Sequence, residues 1–229
     1  MMIRFGIILL IVLFNFSIQA QKNNLRFNIV TVFYGESLML NKDYISKDSV
    51  IITKVETLKF YLSNIKFIRN DKIVFVEKKS QRLLDLENQQ TFIFDVKYPN
   101  IKFDKISFCI GLDSLTNVSG ALAGDLDPTN GMYWTWQSGY INFKLEGYSN
   151  KSKGRNGKFQ YHLGGYQDPF NCLQELTYPL IDQSELKLEL AIDKFLSFVN
   201  LELDSEIMSP GKKAVLLSEK FKEIFTIRK

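Results

Sequence analysis

Met132, Trp134, Trp136 and His162 are the residues of this chain whose types and spacing could do chemistry together. The stretch Gly131-Met-Tyr-Trp-Thr-Trp-Gln-Ser-Gly-Tyr140 holds both tryptophans, and Tyr161-His-Leu-Gly-Gly165 holds the only histidine. A thioether and an imidazole are fit ligands for Cu(I), and two indoles would give such a pocket an electron-rich wall. The plainer reading is a buried aromatic ladder, because Trp134 and Trp136 share a sheet face wherever the segment is extended. Residue types alone favour the ladder. One imidazole cannot make a strong metal site without help.

The segment from Gly111 to Gly131 is long for a connection in a compact domain, and such loops tend to be functional. It carries Asp113, Asn117, Asp125 and Asp127, the oxygen ligands that Ca²⁺ uses. Their spacing matches no EF-hand loop, and Asp, Asn and Gly are ordinary turn formers, so calcium is the secondary reading here. No Gly-x-Ser-x-Gly elbow, no HExxH and no second histidine accompany them, so the sequence does not read as an enzyme. Cys109 and Cys172 lack the close spacing of a zinc or redox motif. A disulfide between them and a pair of free thiols are equally compatible with the sequence.

Short strands must position these residues. Nineteen Phe and ten Tyr, with many Ile and Val, favour β-structure. Leu25–Phe33, Val50–Thr53, Thr57–Ile68, Ile73–Val76, Arg82–Leu86, Gln90–Val96 and Lys105–Ile110 read as strands before the loop. Tyr140–Glu146, Lys158–His162, Glu185–Ile192 and Phe198–Leu203 read as strands after it. Glu185 to Leu190 alternates strictly, as a strand with one wet face does. The expectation is an all-β, antiparallel β-sandwich of Ig-like or Greek-key style. Ser209-Pro210 reads as an N-cap and first helical residue, opening a short C-terminal α-helix with Val215, Leu216, Phe221, Ile224 and Phe225 on one side.

Residues 1–20 have the layout of a signal peptide: a positive start through Arg4, an apolar run from Phe5 to Phe14, and cleavage expected after Ala20. That run is too short to be a stable membrane span. Residues 21–229 then form one exported domain, periplasmic or secreted, with no span after cleavage. The net charge is +4 with Lys and Glu interspersed, so nucleic acid is not indicated.

Several motifs resemble, in order, those of the MbnP-like proteins. They are Leu58-Lys-Phe-Tyr-Leu-Ser-Asn-Ile65, Gly111-Leu-Asp-Ser114, Gly124-Asp-Leu-Asp-Pro128, Asn130–Tyr140, Leu145-Glu-Gly147, Tyr161–Gly165 and Met208-Ser-Pro-Gly211. The resemblance implies an exported bacterial copper-binding protein with a β-sandwich core, acting in metal capture or trafficking. In relatives, Cu(I) is held by two histidines and a kynurenine made by oxidising a tryptophan, with a dihaem peroxidase partner implicated. Carried over, this implies Trp134 or Trp136 as the kynurenine position and His162 as a ligand. The chain departs from the pattern in having one histidine. Met132 could substitute, or the fold persists as a non-metal interaction module.

Overall fold

The computed structural model describes residues 22–47, 50–137, 139–181 and 183–228. The expected leader, with its cleavage point at Ala20, lies outside the described residues. Before the long loop come β1 (Lys22–Phe33), β2 (Glu36–Ser37), β3 (Asp43–Ile45), β4 (Ile52–Arg69), β5 (Lys72–Val76), β6 (Arg82–Asp85), β7 (Ile93–Pro99) and β8 (Lys105–Ile110). After it come β9 (Tyr133–Trp134), β10 (Gly139–Ser149), β11 (Lys158–Gly164), β12 (Gln174–Pro179), β13 (Glu185–Ala191), β14 (Glu206–Ile207) and β15 (Phe225–Ile227).

These strands form two sheets in a sandwich-like arrangement. The smaller runs β15-β13-β1-β2, with β7 also on β1; the larger runs β12-β8-β4-β10-β11-β14, with further short strands on β4 and β10. Most pairings are antiparallel, as expected, but β1 pairs with β13 and β11 with β14 in parallel. In β1, Leu25, Phe27 and Ile29 are buried while Asn24 and Arg26 are exposed, the alternation of a half-buried strand. Leu186, Leu188 and Leu190 of β13 do the same beside it. The inner faces meet in one core in which Phe60 touches Phe92, Phe143 and Phe225.

The expected segments at Val50–Thr53 and Thr57–Ile68 fuse into the single strand β4, which shifts register against β10 between Glu146 and Gly147. There a Cβ on Gly147 would stand 2.1 Å from the Lys54 carbonyl oxygen, so only glycine admits so close a backbone.

Phe198–Leu203 is not a strand. β13 runs directly into α2 (Ile192–Ser197), because Ile192, Phe195 and Leu196 fall at helical spacing and are buried. At the C-terminus, α3 spans Lys212–Ser218 with Gly211 at its N-cap, so the helix starts later than Ser209-Pro210 suggests. A second turn of helix, α4 (Phe221–Ile224), leads into β15, which pairs with β13. Ala214, Leu217, Phe221 and Ile224 form the buried stripe, and Leu216 is exposed. Among the described residues no helix is long and apolar enough to cross a membrane.

Candidate functional site

The candidate residues gather on the face of the larger sheet turned away from the main core. Phe143, Leu145, Tyr161 and Leu163 point inward from β10 and β11. Strand alternation therefore turns Lys144, Glu146, His162 and Gly164 to the opposite face. The loop after β8 folds over one end of that face and covers a second, smaller cluster: Tyr61, Leu112, Met132, Trp134, Tyr140 and Ile141.

The loop is built from caps and stitches. It contains α1 (Ser114–Val118) and 3₁₀ turns at Gly124–Leu126 and Pro128–Asn130. Asp113 caps α1, accepting from the Thr116 amide at 2.8 Å. Asn117 is buried; its Nδ2 donates to the carbonyls of Leu112 and Asp113, and its Oδ1 accepts from the Tyr140 amide. Asp125 accepts from the Leu83 amide at 3.0 Å. Asp127 accepts from the amide and hydroxyl of Thr129, which hold its carboxyl below the usual range. Each of the four is thus already engaged elsewhere: Asp113 and Asp127 within their own turns, Asn117 also with the Tyr140 amide of β10, and Asp125 with the Leu83 amide of β6. Among the described residues, no three His, Cys, Asp or Glu side chains form a group that could hold a metal ion. The structure does not bring the calcium candidates together.

Two tyrosines outside the predicted set tie the loop down. Tyr140 Oη accepts from the Leu122 amide at 3.0 Å and lies 3.1 and 2.9 Å from the Gly120 and Leu126 carbonyls. Tyr61 Oη donates to the Asp125 carbonyl at 3.0 Å. Burial pushes the Tyr61 phenol far above its usual range, so it stays protonated as a donor.

The two tryptophans part company. β9 ends at Trp134 and the chain turns, so no shared ladder forms. Trp134 is buried and seated on β11, where a Cβ on Gly164 would come within 2.8 Å of its ring. Trp136 is 65% exposed, its ring centroid 6.0 Å from that of Trp134. Met132 is fully buried in the small cluster.

His162 lies two positions from Gly164 on the same strand face. It is buried, with Nε2 2.6 Å from Glu146 Oε1. Gln160 and Lys144 also approach that oxygen, at 3.3 and 3.6 Å. The His162 hydrogen bond, aided by Lys144, pulls the Glu146 carboxyl from 4.5 down to about 2 despite its burial. An ionised carboxylate accepts only, so Nε2 is the donor and carries a hydrogen. That nitrogen is not available as a ligand while the pair stands. Nδ1 remains.

The cysteines are free thiols, both buried. Cys172 belongs to the main core, whereas Cys109 alternates with Phe108 and Ile110 and so faces the other side of its sheet. Burial pushes both thiols up to about 11.

The sequence profile of the MbnP family matches residues 22–209. The chain belongs to the MbnP family. MbnP from Methylosinus trichosporium has the same fold, with a TM-score of 0.59 over 77% of this chain and 78% of that one, at 12% identity. Among curated proteins, no relative matches the chain. Within this MbnP fold, Trp134 and His162 meet the same stretch of β11, Met132 shares the cluster of Trp134 beneath the loop, and Trp136 projects outward. Glu146, Tyr140 and Tyr61 are the partners that residue types did not single out. The signal for Glu146 was its place two residues after Lys144 on a polar strand face, and only the pairing with β11 gives it meaning.

Proposed function

We propose that the protein is an exported copper-binding member of the MbnP family, acting in capture or trafficking of the metal and not in catalysis. In this reading Trp134 is the residue oxidised to kynurenine, and His162 is the imidazole beside it. The observation that carries it is the seating of Trp134 on Gly164, two residues along the same strand face from His162.

The unmodified side chains do not amount to a soft Cu(I) site. The imidazole is bonded to Glu146, the thioether of Met132 is fully buried in the small apolar cluster, the two thiols are buried and protonated, and an indole nitrogen is a donor only. Opening the indole of Trp134 gains one oxygen and loses one carbon, exposing an aniline nitrogen and a ketone. Both can accept a metal, and His162 then supplies Nδ1, or Nε2 if Glu146 releases it. A dihaem peroxidase partner supplies the oxidising equivalents in this reading.

The test uses protein purified from its native host. Intact mass and peptide mapping should show kynurenine at residue 134 and tryptophan at residue 136, with copper bound. Cu(I) dialysis should give a dissociation constant below about 1 μM, weakened by His162→Ala. An unmodified mass with metal-free protein would sink the reading.

A second reading, an interaction module that keeps the fold without metal, is favoured by Trp136. An indole 65% exposed beside a second aromatic ring suits a partner protein or glycan. Metal-free native protein that still captures a partner through Trp136 would favour it.

A further inference from the structure

We propose that the cavity beside Trp134 binds a small organic cation carrying a methylated ammonium group. The cavity holds about 250 Å³ and is walled by Trp134, Tyr166, Phe170 and Pro169, with Asp168 and Gln137 among its polar lining. Sites for drug-sized ligands run to ~300–1,000 Å³, so this one suits a single headgroup. A cation over the face of Trp, Tyr or Phe is drawn by the ring quadrupole, more strongly as water is excluded.

Charge decides between ligand classes. Asp168 is the one charged residue in the lining, and its carboxylate makes no ion pair or hydrogen bond among the described residues. In a chain of net charge +4, that is a local reversal of sign beside aromatic rings. A neutral sugar ring could stack on the same aromatics and donate hydroxyls to this exposed carboxylate, whereas a cation is drawn both by the carboxylate and by the ring faces.

The wall is also preformed. Gly165, at φ +130°, takes a conformation that side chains rarely adopt, and a Cβ there would stand 2.1 Å from the Phe170 carbonyl oxygen. The Cys172 amide donates to the Gly165 carbonyl at 3.0 Å and the Phe170 amide to that of Gln167 at 2.7 Å. These bonds close the segment on itself, so little ordering is left to be done on binding. The site uses the intact indole of Trp134 as one wall and not His162, so it belongs to the protein before any oxidation of Trp134 and is tested on protein whose Trp134 is unmodified.

Calorimetric titration of the mature protein with choline tests it, alongside 3,3-dimethylbutan-1-ol, its uncharged isostere, and glucose. Choline should saturate with a dissociation constant below about 1 mM, and the isostere should bind at least about tenfold more weakly. Asp168→Asn and Phe170→Ala should each weaken choline binding about tenfold with unchanged melting temperature, both residues being exposed. Co-sedimentation with phosphatidylcholine vesicles, blocked by free choline, would identify a lipid headgroup as the source; free choline binding alone would identify a soluble cation. Either upholds the site. No saturation by choline at about 10 mM, equal binding of the isostere, or binding of glucose in choline's place would overturn it.

Discussion

His162 and Glu146 are diagonal neighbours across β10 and β11, with Nε2 and Oε1 2.6 Å apart. His162 stands opposite Lys144 and Glu146 opposite Gln160, so the pair crosses one step of the ladder. Its side chains are only 7% and 22% exposed. Glu146→Gln should therefore cost about 1.5–3 kcal/mol, the range for hydrogen bonds to charged groups. Urea unfolding of the metal-free protein at neutral pH checks this.

The same pair predicts the acid limb. Glu146 titrates at about 2 when folded against 4.5 ordinarily, so its contribution is full above 4.5 and fades as pH falls toward about 2. Wild type and Glu146→Gln should differ at pH 6 and converge near pH 2. A difference that persists undiminished would mean that packing, and not charge, is what the substitution removes.

Gly164→Ala should unseat Trp134. The added Cβ would lie 2.6 Å from the Tyr140 carbonyl oxygen as well as 2.8 Å from the indole, so it cannot be absorbed by a side-chain rotation alone. We expect a loss of about 1–3 kcal/mol, as overpacking typically costs. Tryptophan fluorescence should shift to longer wavelength as the buried indole meets water.

Tyr140→Phe should loosen the loop while leaving the sheets intact. It removes the one hydroxyl that holds Leu122 and the carbonyls of Gly120 and Leu126. The penalty for the groups left behind is about 1–3 kcal/mol. Hydrogen exchange should accelerate across residues 113–131 and stay unchanged in β1 and β13.

Calcium should leave the melting temperature unmoved. Asp113 and Asp127 already cap separate turns by accepting from the amides of Thr116 and Thr129, and Asp125 accepts from the Leu83 amide of β6. An ion would have to break those caps before gathering the oxygens. A rise of several degrees in millimolar Ca²⁺ over chelator would show that the caps give way.

The two thiols should be silent in the native state. Both are buried with thiolates disfavoured, titrating at about 11 against 9.0. Their contribution to stability is present below pH 9 and is lost as pH rises toward about 11. Thiol-specific reagents at pH 8 should modify neither cysteine until denaturant is added. Rapid labelling of the native protein would contradict the burial.

Alternation is a local property, so the half-buried strands around Leu25–Phe33 and Glu185–Leu190 were legible in the chain, and a sandwich with a C-terminal helix followed. Family membership was legible too, because glycines and aromatics at fixed intervals survive as a linear pattern. Boundaries were less so: Phe198–Leu203 has strand-like composition, yet Ile192, Phe195 and Leu196 satisfy the core as a helix just before it. Trp134 and Trp136 are the same residue type two positions apart, and only the turn after β9 buries one and exposes the other. The partner of His162 was likewise a tertiary decision. Lys144, Glu146 and Gln160 are all polar and all turned from the core, so residue types cannot choose among them. The choice comes from the register in which β10 and β11 bury Phe143, Leu145, Tyr161 and Leu163 on the opposite face, because a one-residue slip would turn those side chains to water.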